Sequence, residues 1–409
     1  MIIYIDSKSI DDFLSRDVNS AKGYAYEWEG EDVIHVHLSP LRHSYGIKTE
    51  VLFTKMEPTS EQCAKNKCKF ILTVSQDSRN NRCHIYENHH NELVEREISF
   101  IPSKQDLYSR SEGLLEVGIL EKKRVLIIGL GSFGSQIAIE LSKAGVGAFA
   151  IMDFDRVELH NLARHTSSLK DLGRLKTDVI EESILGKNPY ANVTKYSIDI
   201  NKTTEILDKE VELSDIVICA TDNNKSRWNL SKSLVRHSKI GIFGRAITRA
   251  EGGDVFIYRP GDACYCCLTG LTELPEEEIT NANDPRIPQY ANNPNDMVQV
   301  GLSTDIEPIC NMMVKIALME LSRGMKSGIS SLEEDLVYNF YIWANRREKI
   351  YSRWPSMPNA GGNRPSIMRW YGAHINKNEH CNVCAPENAI LYVGETGLEN
   401  VSDLTLDSE

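Results

Sequence analysis

From Glu121 onward the apolar residues fall into a repeating pattern. RVLIIGLGSFG is an unbroken apolar run ending in glycines, as a strand buried on both faces requires. In SQIAIELSKAG the apolar residues recur every three or four positions, which predicts a helix. AFAIMDFD reads as a second strand ending in acids, and KTDVIEESILGKN as a helix that stops at Asn-Pro. SDIVICATDN is a further strand, KSRWNLSKSLVRHS a helix and KIGIFGRA another strand. Strands alternating with helices of about 10–15 residues predict βαβ units. The fold class is therefore α/β, a Rossmann-like, mostly parallel sheet with helices on both faces.

Residues 1–105 have a different texture. Short alternating stretches such as Val33–Leu38 and Lys69–Val74 predict strands separated by polar segments, among them the QDSRNNR run around Asn80. We read this part as a small β-containing module that binds a partner. No catalytic pattern is visible in it, and Cys63, Cys68 and Cys83 read as structural. The second domain spans 106–385, with a long crossover loop over 269–303 rich in Pro, Asn, Asp and Glu; an acidic tail covers 386–409.

Composition narrows the function classes. The 409 residues carry 58 acidic and 46 basic side chains, a net charge of −12. That balance argues against a nucleic-acid binder working by general phosphate attraction. No apolar run approaches the roughly 18 residues of a membrane span. The start, MIIYIDSKSIDDF, lacks the basic stretch and long apolar core of a signal peptide, so the expected location is the cytoplasm. Ten cysteines are too sparse for a disulfide scaffold, which leaves metal binding or catalysis.

Gly129, Gly131 and Gly134 form G-x-G-x-x-G between a strand and a helix. There the glycines allow a tight turn and let backbone N–H groups approach a phosphate at the helix N-terminus. Asp153, about 20 residues further on, ends the next strand where it can accept hydrogen bonds from a ribose. This motif alone does not separate NAD from ATP.

The residues downstream do separate them. Asp153 and Asp155 form a D-x-D pair, followed by Asn161-Leu162-Ala163-Arg164, Gly173-Arg174-Leu175-Lys176, and Thr221-Asp222-Asn223 with Arg227. This set resembles the ThiF/MoeB and ubiquitin-activating enzyme superfamily over roughly residues 108–385. The resemblance implies ATP-dependent adenylation of the C-terminal glycine of a ubiquitin-like protein. It implies that Arg164 and Lys176 hold phosphates, with Asn161 and Asn223 beside them, that Asp153 and Asp155 serve the ribose side, and that Asp222 binds Mg²⁺. A carboxylate meeting a triphosphate brings two anions together, which is why fixed cations are needed. Homodimeric members supply an arginine to the partner's site from a Tyr-x-Arg segment; here that is Tyr108-Ser109-Arg110, so Arg110 is the expected trans residue of a homodimer.

Two C-x-x-C pairs, Cys264/Cys267 and Cys381/Cys384, suit tetrahedral zinc with every position filled. Their separation of more than a hundred residues makes the metal a staple between distant segments, as in the same family. Cys266 lies between two ligands, either competing for the metal or exposed. Members that pass their cargo to a conjugating enzyme carry a nucleophilic cysteine on the crossover loop, about five residues before a proline that precedes a helix. The match here is Ser303-Thr304, ahead of Pro308 and a helix around Asn311–Leu321. Ser303 reads as an engineered Cys-to-Ser change, a natural departure without a thioester step, or a misplaced match; a serine hydroxyl is a far weaker nucleophile than a thiolate. Cys310 is the fallback nucleophile, and Cys219 is expected in the core.

The layout resembles enzymes of bacterial antiphage operons that pair a ubiquitin-like modifier with activating and conjugating proteins. Two alternatives stay open: a sulfur-carrier or ribosomal-peptide adenylyltransferase without a thioester step, and a non-catalytic scaffold that binds a ubiquitin-like tail. Intact Arg164, Lys176 and Asp222 count against the scaffold. A dehydrogenase ranks last, because nothing resembles a hydride-transfer site.

Overall fold

Alternating apolar positions build the first of two units, Met1–Arg110, into an eight-stranded mixed sheet. The computed structural model describes residues 1–270 and 301–385, apart from 29, 41–45, 60, 63–64, 66–67, 78–79, 90–91, 102–106, 112, 349–350, 353–356, 360–361 and 365–366. Most of the expected crossover loop, the acidic tail and Cys63 thus lie outside the described residues. The strands are β1 (Ile2–Asp6), β2 (Ser20–Glu27), β3 (Val33–His37), β4 (Ile47–Thr54), β5 (Phe70–Asp77), β6 (Asn80–His89), β7 (Glu92–Arg96) and β8 (Ile98–Ile101), in the order β7-β6-β5-β4-β2-β3-β1-β8. Residues two apart face the same side. Ile3 and Ile5, Ile34 and Val36, and Phe70, Leu72 and Val74 therefore meet Ile10 and Phe13 of the helix Ser7–Leu14 in one buried layer. Phe13 packs edge-on against Phe53 with ring centroids 5.6 Å apart.

The second unit runs from Ser111. Its strands are β9 (Arg124–Ile128), β10 (Ala148–Met152), β11 (Asn192–Tyr196), β12 (Ile216–Cys219), β13 (Ile240–Ala246), β14 (Gly252–Tyr258), β15 (Phe340–Ala344), a small separate pair β16 (Met357–Asn359) and β17 (Gly362–Arg364), and β18 (Arg369–Ala373). The main sheet has the order β11-β10-β9-β12-β13-β14-β15-β18. Strands β11 through β13 are parallel, and β14, β15 and β18 extend the sheet in antiparallel fashion. Val125 and Ile127 face the helices Ser132–Lys143, Lys176–Lys187 and Ser303–Leu321, whereas Leu126 and Ile128 face Thr204–Leu213 and Asn224–His237. Both faces are covered, which is why the central strands read as unbroken apolar runs.

The helix expected around Asn311–Leu321 is longer than its pattern suggested. It begins at Ser303 and carries Pro308 inside it. Ser303 is therefore the first helical residue and not part of a loop. A proline inside a helix removes one bond and costs about 3 kcal/mol. Burial of Ile306, Ile309, Cys310, Met313, Ile316 and Ala317 against the sheet offsets that cost.

Candidate functional site

Strand order reverses beside β9: the chain runs β9, β10, β11 to one edge, then returns to the other side of β9 with β12 and β13. Loops leaving the carboxyl ends of β9 and β12 diverge there, opening a crevice. The glycine loop lies at that point. Gly129 has φ +84°, and a Cβ on it would stand 2.8 Å from the Ala220 carbonyl oxygen. A Cβ on Gly134 would meet the Gly129 carbonyl oxygen at 1.8 Å, so that glycine lets helix and strand touch. Gly131 is different: its φ is −73°, and a Cβ there would meet nothing within 4 Å. The fold does not require glycine at 131. Open space beside the N-terminus of a twelve-residue helix, where the first N–H groups lack intrahelical partners, is what an anion needs.

The charged groups converge on this loop. Asp153, just past β10, accepts from the backbone N–H of Leu130 at 2.6 Å and of Asp155 at 2.8 Å. Burial raises the Asp153 carboxyl above its ordinary value, with the Lys176 ammonium opposing. Lys176 opens its helix and is almost wholly buried, with Nζ donating to Asp155 Oδ2 at 2.8 Å. Arg164 lies half-buried after the short turn Leu159–Asn161; burial lowers its guanidinium from the usual value and the Asp222 carboxylate opposes this. Asp222 itself is exposed in the turn that follows β12.

Two asparagines expected at the nucleotide have structural duties. Asn161 Oδ1 accepts from the Glu158 backbone N–H at 3.0 Å, so its amide nitrogen is what it can offer a ligand. Asn223 caps the helix Asn224–His237, its Oδ1 accepting from Ser226 N–H at 2.8 Å. Arg227 is buried; its Nη2 donates to the Thr221 carbonyl at 2.6 Å and so braces the Asp222 turn from below.

A depression of about 270 Å³ opens beside Arg164, bordered by Glu140 and Lys143 and by Ser303 and Glu307 of the last long helix. The structure thus brings Ser303 to the same depression as Arg164. Cys310, the fallback nucleophile, is fully buried one turn and more into that helix, and burial pushes its thiol up to about 12. Such a group holds almost no thiolate at neutral pH. Cys219 is fully buried, as expected of a core residue. Arg110 is exposed at the end of the first unit.

The four spaced cysteines gather as a cluster, with every Sγ within 4.8 Å of the others. Cys264 and Cys267 are 3.8 Å apart, Cys264 and Cys381 3.5 Å, and Cys267 and Cys384 3.4 Å. A tetrahedral zinc–thiolate centre with bonds near 2.3 Å needs sulfur separations of about 3.8 Å, so the set fits zinc. Asn378 N–H donates to Cys267 Sγ at 3.4 Å, the outer contact that orients a thiolate ligand. Cys266 is buried in the apolar cluster beside them and is neither exposed nor a member of the quartet.

With that geometry in place, the sequence model of the ThiF family matches residues 111–348. The chain belongs to the ThiF family. The chain is 32% identical over 185 residues to the adenylyltransferase and sulfurtransferase MOCS3 of Anopheles gambiae, covering 43% of this chain and 41% of that protein. It is 33% identical over 154 residues to the molybdopterin-synthase adenylyltransferase of Escherichia coli K12, covering 37% and 61%. The chain thus spans between two-fifths and three-fifths of these relatives. Among solved structures, E. coli MccB with MccA-N7isoASN aligns at 17% identity and a TM-score of 0.46, covering 66% of this chain and 69% of that one. The ThiF fold accounts for the parallel sheet and its glycine loop. Among the described residues, no helix is long and apolar enough to cross a membrane.

Proposed function

We propose that this chain is an ATP-dependent adenylyltransferase that activates the C-terminal glycine of a ubiquitin-like protein. The supporting observation is the convergence of Arg164, Lys176 and Asp222 on the glycine loop at the reversal of strand order. A carboxylate oxygen of the substrate forms a bond to the α-phosphorus of ATP, the bond from that phosphorus to the bridging oxygen breaks, and pyrophosphate leaves. Arg164 and Lys176 offset the charge of the two anions, and the helix N-terminus at Ser132 receives phosphate oxygens. Asp153 takes the ribose hydroxyls. Asp222 would hold Mg²⁺, a hard cation suited to carboxylate oxygen, which neutralises phosphate charge. Zinc at the cysteine quartet ties the C-terminal segment to the sheet. Homodimerisation with Arg110 acting in trans, and transfer from the Ser303 position to a conjugating enzyme, complete the reading.

Ser303 and the buried Cys310 favour a second reading, adenylation of a sulfur carrier or ribosomal peptide with no thioester step. Intact-mass analysis after incubation with ATP·Mg²⁺ and candidate small proteins tests the first: a shift by one AMP names the substrate. A Ser303→Cys variant that forms adenylate but no thiol-sensitive adduct selects the second. Full ATP–pyrophosphate exchange in an Asp222→Ala variant would sink both.

A further inference from the structure

Leu130 lies between the first two glycines of the loop, and both its backbone groups are taken. Its N–H donates to Asp153 Oδ2 at 2.6 Å, and its carbonyl lies 2.5 Å from His165 Nε2. His165 is the residue after Arg164. On the far side of its ring, Nδ1 receives the Ser167 backbone N–H at 3.1 Å and lies 2.6 Å from Ser167 Oγ. A carbonyl only accepts and a backbone N–H only donates, so the ring carries its proton on Nε2 and a lone pair on Nδ1. We infer that neutral His165 is a positioning residue that ties the Arg164 turn to the glycine loop, and that protonating it loosens both halves of the phosphate site together.

The imidazolium has a second N–H, on Nδ1, directed at the Ser167 amide. Ser167 Oγ can turn to accept it, but the amide N–H then loses its acceptor, at a cost of the order of one hydrogen bond. The surroundings oppose that charge. Burial lowers the His165 value from its ordinary 6.5 and Lys176 adds to the lowering, while the Leu130 carbonyl bond and Asp171 work in the other direction. Because the fold favours the neutral ring, this contribution is complete above about pH 6.5 and is lost as the pH falls below it.

The nucleotide arm of this inference rests on the ATP-site reading; the tautomer arm does not. On the full chain, long-range ¹H–¹⁵N spectra of the imidazoles, with His165 assigned by comparison with His165→Gln, are expected to show the Nε2–H tautomer persisting below pH 6.5. Calorimetric ATP binding is expected to weaken as the pH is lowered from 8 through the range in which the ring takes up its proton, approaching about tenfold where protonation is complete. His165→Gln, whose carboxamide can donate to Leu130 and accept from Ser167, is expected to keep most of the affinity and flatten its pH profile. His165→Leu is expected to lose about tenfold already at pH 8. An Nδ1–H tautomer, a ring titrating at or above 6.5, or parallel pH profiles for the wild type and His165→Gln would overturn the inference. Absence of ATP binding at every pH would overturn the functional reading instead, and the tautomer would still decide the role of His165.

Discussion

Each unit is built round an eight-stranded sheet, yet among the described residues only the second gathers a candidate site. In the first unit four neighbouring pairs are antiparallel and three are parallel, and the helix Ser7–Leu14 follows β1 directly, with no glycine loop between them. Its charged groups pair across strands, Lys69 with Glu27 at 2.8 Å and Arg96 with Glu87 at 2.9 Å. In the ThiF unit five parallel strands send their carboxyl ends to one edge. Gly129, Asp153 and Asp222 therefore arrive together although they are far apart in the chain. A glycine loop that feeds a helix N-terminus where strand order reverses, and not sheet size, decides where chemistry can assemble.

The largest break in this comparison should come from the site cations and their acid. Asp222→Ala and Lys176→Ala are each expected to lower ATP–pyrophosphate exchange by at least about 10²–10³-fold, with circular dichroism unchanged. The counterpart in the first unit is Phe53→Ala, which empties the core beside Phe13. It should destabilise that unit by about 3–5 kcal/mol in denaturant titration while exchange per folded molecule stays the same. A parallel loss of exchange would show that the two sheets do not divide the work as described.

Metal removal should produce the next effect. Thiolate ligation links metal binding to folding, so a strong zinc chelator is expected to abolish amide protection around Cys264–Thr269 and residues 381–385 in hydrogen-exchange mass spectrometry. Protection of the first unit should stay as it was. Equal protection with and without chelator would mean that the sulfur cluster holds no structural metal.

The smallest and sharpest contrast lies inside the glycine loop. Gly134→Ala places a Cβ against the Gly129 carbonyl and should destabilise the ThiF unit by about 1–3 kcal/mol. Gly131→Ala meets open space and should leave the melting temperature within about 1 °C, while weakening ATP binding. Equal ATP affinity in Gly131→Ala and the wild type would remove the phosphate from that position.

The parts of the site that the chain announces locally were legible. Gly129 and Gly134 answer to a positive φ and a close backbone approach, constraints that only glycine meets, so they leave a mark in the sequence. The paired cysteines were legible for a similar reason, since a C-x-x-C turn already sets two ligands side by side. Strand β15 was not, because it joins the sheet by pairing with β14, more than eighty residues earlier, and such pairing has no short-range signature. The helix start at Ser303 was misplaced, since Pro308 looked like a boundary until apolar packing outweighed its missing bond. His165 carried no signal at all; its role depends on Leu130, which lies 35 residues earlier and touches it only in the fold.

By itself the sequence determined the α/β class, the glycine loop, the ordered set of cations and acids, and the four paired thiols suited to a metal. Each follows from local backbone geometry or from the chemistry of residue types at fixed spacing. Only the tertiary structure decided which of those groups are already engaged: Asn161 and Asn223 in caps, Lys176 with Asp155, Asp153 on the glycine loop, Cys310 sealed in the core. Hydrogen-bond partners and burial come from neighbours that long-range strand order brings together, and no window along the chain contains them.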